Sequence, residues 1–232
     1  MRVTAIVVAA GEGRRVGGAL PKPYRLIAGR AMVLHTLDRC FSARSVDDVI
    51  LVVAANEFAR CEALLKADSA LEHRPWRLQK GGDTRQESAR CGLKAMNPET
   101  EIVVIHDGAR PLVSPALIDR CVEVACEQGA AIAGVPVRDT IKIVSGDRRV
   151  QATPDRNGLW EIQTPQVFRT DLIVEGHERA ARDGFRATDD AILIERMGQS
   201  VFVVEGDRSN LKITVPEDIL FAEALIESGR GC

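Results

Sequence analysis

Long hydrophobic runs are missing from this sequence, and no stretch approaches the roughly 18 consecutive apolar residues that a membrane-spanning helix requires. Aromatic residues make up only 4% of the chain, and 31 Lys and Arg are balanced by 33 Asp and Glu. A basic surface with interleaved aromatic side chains, which is typical of nucleic-acid-binding proteins, is therefore not expected. The opening apolar run is too short for a signal peptide and ends in glycines, which predicts a first strand and a cytoplasmic protein.

Paired, metal-binding cysteines are missing as well. The sequence has six cysteines, at Cys40, Cys61, Cys91, Cys121, Cys126 and Cys232. They form no C-x-x-C pair, and none has a histidine at the spacing of a zinc site. The first four fall within apolar helical patterns, which predicts that they are small buried hydrophobic residues. With 232 residues, of which 45% are hydrophobic and 28% charged, the chain has the composition of an ordinary globular protein.

The sequence does contain an alternation of strand-like and helix-like segments. Short, continuous apolar runs predict strands buried on both faces at Thr4–Ala10, Asp48–Ala54, Glu101–His106, Ala130–Val135 and Ser200–Val204. Between them, Ser114 and Pro115 begin a helical pattern that Gly129 ends, and a capping box over Thr214–Glu217 begins a last helix that extends to about Ser228. This order predicts an α/β fold, with a Rossmann-like, mostly parallel sheet sandwiched by helices and ligands bound beyond the carboxyl ends of its strands.

Residues 137–163 break this alternation with short β-like pieces, turn residues and an isolated Trp160. We interpret them as an extended, antiparallel β-arm insertion that leaves the main body and is used in dimerisation. The rest of the chain has no internal repeat and no low-complexity segment. We therefore expect a single domain over residues 1–232.

The glycine-rich loop after the first strand, residues 9–24, is the first candidate site. Its glycines expose successive backbone N–H groups to an anion, and Arg14, Arg15 and Lys22 add positive charge. The loop lacks the Gly-Lys-Ser/Thr of the Walker motif, and Val16 stands where the dinucleotide-binding fingerprint needs glycine or alanine. This charge suits a nucleoside triphosphate, and the alternative is a solvated basic loop.

The second candidate is GGDTRQES, residues 81–88, which opens a helical pattern. Arg85 and Ser88 are three positions apart and share one face of the first turn, where they can meet a ribose or a base. The alternative is that the segment only caps the helix, through Asp83 or Thr84.

The third candidate is IHDGARP, residues 105–111. Asp107 stands at the carboxyl end of a buried strand, where a carboxylate can hold Mg²⁺ against phosphate oxygens. The alternative is that Asp107 pairs with Arg110. We interpret His106 as a structural, hydrogen-bonding residue and not as a catalytic one.

The arm and the segment before the last helix supply the remaining candidates. Thr140 and Arg156 offer a hydroxyl group and a cation that suit a phosphate, although a hairpin with charged edges explains them equally well. Lys212 lies in a short strand-like piece and by itself is only a lysine. The sequence has no Ser-His-Asp order, H-E-x-x-H or G-x-S-x-G element, so hydrolase and zinc-protease activities have no support.

Taken together, these segments resemble the 2-C-methyl-D-erythritol 4-phosphate cytidylyltransferase family, from about Val3 to Leu225. The opening loop is shared by many nucleotidyltransferases, whereas the ordered set GGDxRxxS, HDxARP, PVRDTIK, DRNGLW, TPQ and NxKIT is more specific. The resemblance implies one Rossmann-like nucleotidyltransferase domain that uses CTP and Mg²⁺. It also implies a homodimer in which the arm swaps between subunits.

The resemblance assigns roles to individual residues. The nucleotide site would comprise Ala9, Ala10, Gly11, Gly13, Lys22, Gly82, Asp83, Arg85, Ser88 and Asp107. Arg15 and Lys22 match the pair that stabilises the transition state, and Asp107 would hold the metal. Thr140, Arg156 and Lys212 match residues that bind methylerythritol phosphate, the first two from the arm of the partner.

The reaction implied is transfer of a cytidylyl group from CTP to 2-C-methyl-D-erythritol 4-phosphate with release of pyrophosphate, a step of non-mevalonate isoprenoid precursor synthesis. The attacking phosphate is already deprotonated near neutral pH, so catalysis is expected to depend on positioning and electrostatics. Two alternatives stay open. One is a cytidylyltransferase for another polyol phosphate, such as ribitol 5-phosphate, and the other is a non-catalytic module that senses CTP.

Overall fold

The computed structural model describes residues 1–11 and 20–229. The strands in these residues are β1 (Arg2–Val8), β2 (Leu26–Ile27), β3 (Arg30–Ala31), β4 (Asp48–Val53), β5 (Trp76–Lys80), β6 (Thr100–Asp107), β7 (Ala130–Pro136), β8 (Ile143–Val144), β9 (Val150–Ala152), β10 (Trp160–Arg169) and β11 (Phe202–Glu205). Across the described part of the chain, seven of them form one sheet in the order β11-β7-β10-β6-β1-β4-β5. Two short antiparallel pairs, β2 with β3 and β8 with β9, lie outside that sheet.

The central sheet is mostly parallel, which confirms the sequence prediction. β1 pairs in parallel with β4 and β6, β4 with β5, and β7 with β11. The alternation along β1 shows why its sequence is apolar from Ala5 onwards. Ala5 and Val7 pack in the hydrophobic cluster on one side of the sheet, and Ile6 and Val8 pack in the cluster on the other. A strand covered on both faces has no position for a polar side chain that lacks a partner.

β10 is the exception to the parallel arrangement, and the sequence analysis did not predict it as a strand of the sheet. It lies between β6 and β7 and is antiparallel to both. The strand begins at Trp160, opposite Pro136, and reaches Phe168, opposite Ala130. The chain leaves the sheet after β7, forms the arm and returns in the opposite direction, so the returning strand has to be antiparallel to β7.

Helices cover both faces of the sheet, as predicted. In the described residues they are α1 (Met32–Ser42), α2 (Phe58–Ala67), α3 (Arg85–Lys94), α4 (Pro115–Gln128), α5 (Thr170–Asp183), α6 (Ala191–Glu195) and α7 (Pro216–Glu227). The Ser114 hydroxyl accepts a hydrogen bond from the Leu117 N–H at 3.2 Å and caps α4. Gly129 ends α4 with a φ of 91°, a conformation in which a side chain would be strained.

The start of α7 differs from the prediction. The capping box was placed on Thr214 and Glu217, but the carboxylate that accepts hydrogen bonds there belongs to Asp218. It accepts from the backbone N–H of Val215 at 2.9 Å and from the Thr214 hydroxyl at 2.9 Å. The helix begins one residue later than the pattern indicated, at Pro216, so the third helical position is Asp218.

The insertion at residues 137–163 contains the β8–β9 hairpin, a short helical turn at Arg156–Gly158 and the beginning of β10. Most of its apolar side chains are exposed, and those at Ile143, Val144 and Val150 are 51%, 49% and 60% accessible. The use of this arm in dimerisation stays a prediction. No helix in the described residues has both the length and the apolar character needed to cross a membrane.

Candidate active site

A cavity of about 990 Å³ opens at the carboxyl edge of the sheet, where β1, β4, β5 and β6 end. Ligands bind at this edge in open α/β sheets. Ten of the residues assigned from the sequence line it: Ala9, Ala10, Gly11, Lys22, Gly82, Asp83, Arg85, Ser88, Asp107 and Lys212. Gly13 and Arg15, together with Arg14, lie outside the described residues. Thr140 and Arg156 are exposed on the arm and do not line this cavity.

Asp107 lies between two cationic side chains in the cavity. It is the last residue of β6 and is 6% exposed. Arg85 Nε donates to its Oδ1 at 2.9 Å, and Lys212 Nζ lies 2.7 Å from its Oδ2. Burial opposes ionisation of the carboxyl group, but the charges of Arg85 and Lys212 outweigh it and hold the pKa of Asp107 below its ordinary value. Asp107 is therefore an ionised carboxylate at the edge of the sheet.

Arg110, the alternative partner considered for Asp107, has a different role. Its Nη1 donates to the backbone carbonyl of Asn210 at 2.7 Å. The Asn210 side chain in turn donates to the Thr164 carbonyl at 2.8 Å. Arg110 thus attaches the segment before α7 to the sheet at Asn210, two positions before Lys212 in the chain.

Arg85 and Ser88 point at protein partners in the structure. Arg85, the first residue of α3, uses Nη1 to donate to Asp190 Oδ2 at 2.6 Å in addition to its bond with Asp107. Ser88 is 1% exposed, and its hydroxyl donates to the Gly82 carbonyl and accepts from the Gly82 N–H, both at 3.2 Å. Both residues line the cavity, but they hold its wall in shape.

The loop before α3 is held tightly against the end of β1. A Cβ atom at Gly81 would stand 2.6 Å from Ser88 Oγ and 2.7 Å from Ala10 Cβ, which is closer than real Cβ contacts. The glycine therefore allows the loop to approach β1. Thr84 caps α3 by accepting from the Glu87 N–H at 3.1 Å, so the capping interpretation of this segment is correct for Thr84 and not for Asp83. Asp83 is exposed at the rim of the cavity.

His106 lies behind Asp107 and has the structural contacts that the sequence analysis expected. Its Nδ1 is 3.0 Å from the Thr164 hydroxyl, and its Nε2 is 3.2 Å from the Arg110 carbonyl. The same Thr164 hydroxyl accepts from the backbone N–H of Asp107 at 3.0 Å. Burial lowers the pKa of His106 to about 4, so the ring is neutral at neutral pH.

The stability of the protein is expected to fall between pH 6.5 and pH 4 because of His106. The unfolded chain binds a proton at the ordinary histidine pKa of about 6.5, whereas the folded chain binds it only near pH 4. The contribution of the neutral, buried His106 ring to the free energy of unfolding is complete above pH 6.5. It is lost as the pH falls through this window, and the loss is about 2 kcal/mol at pH 5. Urea unfolding from pH 7.5 to pH 4.5 measures it. His106→Gln should have a flatter profile, and an equally steep one would contradict the assignment.

The oxygen ligands at the cavity fit a Mg²⁺ ion that is bound through one carboxylate together with the phosphate oxygens of a substrate. No group of three or more His, Cys, Asp or Glu side chains that could hold a metal occurs in residues 1–11 and 20–229. Mg²⁺ needs no such cage, since it is commonly bound through one or two carboxylates together with phosphate oxygens and water. Asp107 is ionised and lines the cavity, and each of its oxygens keeps a further lone pair besides the one that Arg85 or Lys212 uses.

A mostly parallel sheet with an ionised carboxylate at its carboxyl edge and lysines on the cavity wall fits the class of Rossmann-like nucleotidyltransferases. Comparison with known proteins then identifies the family. The chain belongs to the 2-C-methyl-D-erythritol 4-phosphate cytidylyltransferase family, which it matches over residues 3–228. The predictions of the family, of the fold and of a nucleotidyltransferase enzyme are confirmed.

Relatives of this chain carry the same description across nearly their whole length. The 2-C-methyl-D-erythritol 4-phosphate cytidylyltransferase of Caldanaerobacter subterraneus is 41% identical over 230 residues, which cover 97% of this chain and 99% of the relative. That of Geobacillus kaustophilus is 43% identical over 234 residues, which cover 98% of each chain. Among solved structures, the 4-diphosphocytidyl-2C-methyl-D-erythritol synthase of Anaerococcus prevotii is 35% identical. It superposes with a TM-score of 0.86 and covers 97% of this chain and 96% of its own.

Sequence reasoning missed the residues that support Asp107 and Arg85 from behind. Thr164, Gln166, His177, Asp190 and Asn210 are buried and hydrogen-bonded around them. Thr164 and Gln166 lie in the motif TPQ and Asn210 lies in NxKIT, but the sequence analysis gave these three positions no role. The available signal was a set of polar residues beside apolar runs, because buried polar side chains must find partners.

Proposed function

We propose that this chain transfers the cytidylyl group of CTP to 2-C-methyl-D-erythritol 4-phosphate. An oxygen of the acceptor phosphate forms a bond to the α-phosphorus of CTP, the bond from that phosphorus to the bridging oxygen breaks, and pyrophosphate leaves. The observation that carries the proposal is the cluster of Asp107, Arg85 and Lys212 in a cavity whose wall also contains Lys22. Such a cluster suits a reaction in which an anion attacks a polyanion.

The proposed mechanism requires no general base. A phosphate monoester is largely a dianion near neutral pH, since its second pKa is about 6. His106, the histidine next to Asp107, is buried and engaged on both ring nitrogens, so it has no free atom with which to accept a proton from substrate. Catalysis then consists of holding two anions in line and stabilising the charge that grows on the α- and β-phosphate oxygens.

Different cationic residues are proposed to act on the triphosphate and on the incoming phosphate. Lys22, near the end of the loop that follows β1, lines the cavity, and with Arg15 it would stabilise charge on the triphosphate. Lys212 has a side chain that is 42% exposed, so its ammonium group can contact both Asp107 and an incoming phosphate. Asp107 would hold Mg²⁺, which when bound neutralises phosphate charge and aligns the leaving group.

The acceptor site is proposed to need a second copy of the chain. Thr140 and Arg156 do not line the cavity, and Arg156 Nη1 donates to the Arg138 carbonyl at 2.7 Å on the exposed arm. The exposed apolar side chains of the arm support its burial against another subunit. In a homodimer with exchanged arms, the partner would place both residues at the cavity.

Mixing two inactive variants tests this arrangement. In a dimer of one Lys22→Ala chain and one Arg156→Ala chain, one of the two sites would combine an intact body with an intact arm. Random exchange should restore about a quarter of the wild-type activity, because about half of the dimers are mixed and half of their sites are intact. Co-expressed, differently tagged chains allow the mixed dimers to be purified. Mixed dimers without recovered activity would show that the arm does not act in the partner's site.

Pyrophosphate release from CTP tests the reaction itself. We expect release that depends on 2-C-methyl-D-erythritol 4-phosphate and on Mg²⁺, with much lower turnover on ribitol 5-phosphate. Preference for ribitol 5-phosphate would replace the proposed acceptor by another polyol phosphate. Tight CTP binding without turnover on any acceptor would instead indicate a nucleotide sensor.

A further inference from the structure

The TPQ motif, residues 164–166, and the TDD segment, residues 188–190, have no role in the reaction described above. The structure brings residues 164–166 and 188–190 together behind the cavity. Gln166 is 1% exposed, and its Oε1 accepts hydrogen bonds from the backbone N–H groups of Asp190 and Ala191 at 3.0 and 3.2 Å. One amide side chain on β10 therefore fixes the loop that carries Asp190.

The Asp190 carboxylate is 1% exposed and is divided between two partners. Its Oδ2 accepts from Arg85 Nη1 at 2.6 Å, and its Oδ1 lies 3.1 Å from His177 Nε2. His177 is 2% exposed, and its Nδ1 has no hydrogen-bond partner within residues 1–11 and 20–229. The side-chain hydrogen bond of His177 is therefore the one to Asp190, which it holds in place on the side opposite Arg85.

This arrangement determines how Arg85 meets Asp107. The guanidinium group is planar, so its bond from Nη1 to Asp190 fixes the plane of the group and leaves Nε for Asp107 Oδ1. Asp107 therefore receives one N–H of Arg85, and its Oδ2 stays turned to Lys212. Without the Asp190 carboxylate, the guanidinium could rotate and pair with both oxygens of Asp107, as arginine commonly does with a lone carboxylate.

We propose that Asp190, held by His177 and Gln166, is a positioning residue that limits the Arg85 guanidinium to one oxygen of Asp107 and so keeps a lone pair of the other oxygen available for the metal–triphosphate complex. The inference rests on the proposed function, because it assigns Asp107 to the metal. A buried ion pair contributes little net stability compared with apolar residues of the same volume. Orientation is therefore the main effect of burying this carboxylate.

The first experiment measures Mn²⁺ binding and turnover of Asp190→Asn and His177→Gln. Asp190→Asn keeps the size of the side chain and removes its charge, and it should weaken Mn²⁺ binding to the complex with a non-hydrolysable CTP analogue by about tenfold or more. The binding is followed by electron paramagnetic resonance. kcat should fall by about 10–100-fold, while the KM for the acceptor changes little. His177→Gln retains a donor to Asp190 and should cost less in both measurements.

The control is Asp119→Asn, which removes another buried carboxylate. Asp119 accepts hydrogen bonds from Ser45 and the backbone of Arg44, and it does not line the cavity. The Asp119→Asn variant should be less stable than the wild type but should bind Mn²⁺ with the same affinity. If Asp190→Asn instead bound Mn²⁺ as the wild type does, or lost activity only in proportion to its unfolded fraction, Asp190 would be structural and the proposal overturned. An inactive wild type that still showed the difference in Mn²⁺ affinity would overturn the proposed function and not this inference.

A double-mutant cycle tests whether the effect passes through Arg85. In an Arg85→Gln background, Asp190→Asn should change Mn²⁺ affinity by less than about twofold, because the group it acts on is gone. The double variant also removes both charges of the Arg85–Asp190 ion pair and should fold even if Asp190→Asn alone does not. Full additivity of the two substitutions would show that Asp190 acts on the site by another route and would overturn the proposal.

Discussion

Lys22→Ala should lower kcat by about 10²–10³-fold and leave CTP binding much less affected, since a donor that stabilises developing charge acts mainly in the transition state. Lys22 begins a short helical turn, Lys22–Tyr24, and lies between Pro21 and Pro23. These prolines restrict the backbone, and Tyr24 is buried, so the position of the lysine backbone at the cavity wall is well defined. The backbone that carries the ammonium group is therefore positioned before the substrate binds.

Steady-state pyrophosphate release and CTP titration by calorimetry separate the two effects. Lys66→Ala is a suitable control, because Lys66 lies on α2, pairs with Glu62 and does not line the cavity. A Lys22→Ala variant with nearly normal kcat and a large loss of CTP affinity would show that Lys22 binds the ground state only. The assignment to the transition state would then be wrong.

Asp107→Asn should reduce kcat by more than about 10²-fold, because it removes the carboxylate proposed to hold the metal and releases both cations that it orients. It should also lower the free energy of unfolding by about 2 kcal/mol, a value below that of a fully buried pair because Arg85 and Lys212 are 28% and 42% exposed. Turnover over a range of Mg²⁺ concentrations and urea unfolding measure the two losses separately.

Asp48→Asn provides a matched control for that experiment. Asp48 is also a buried carboxylate between two cations, since its Oδ2 accepts from Arg2 at 3.0 Å and from Arg77 at 3.2 Å. It stands at the start of β4, at the end of the sheet opposite the cavity. The variant should lose comparable stability and keep its activity. If both variants lost activity to the same extent, instability and not the loss of Asp107 would be the cause.

Much of the architecture follows from local patterns in the sequence. The apolar runs that predicted β1, β4, β6 and β7 are buried on both faces, and such runs can be recognised without knowledge of their neighbours. The run that predicted β11 does form a strand, but the expectation of burial on both faces was wrong, because β11 lies at the edge of the sheet and only Val204 in it is buried. β10 could not be found in this way. Its first residues are exposed on the arm, and only the later ones are buried in the sheet, so the segment has no single pattern.

The candidate site shows the same division between local and tertiary information. The spacing of Arg85 and Ser88 correctly places both on one face of α3, and both line the cavity. The spacing does not give their partners. Asp190 lies 105 positions away from Arg85, and the pairing forms only when α6 packs against the sheet. Hydrogen bonds between distant residues depend on tertiary structure, which periodicity does not describe.

The course of β10 has a mechanical consequence. The strand starts at Trp160, on the arm, and four positions later the Thr164 hydroxyl contacts the backbone N–H of Asp107. The arm and the Asp107 carboxylate, which is proposed to hold the metal, are thus connected through one continuous strand. A displacement of the arm when two subunits assemble would travel along that strand to Asp107. In the proposed homodimer, assembly would then tune the geometry of each subunit's own cavity, in addition to bringing Thr140 and Arg156 to the neighbouring one.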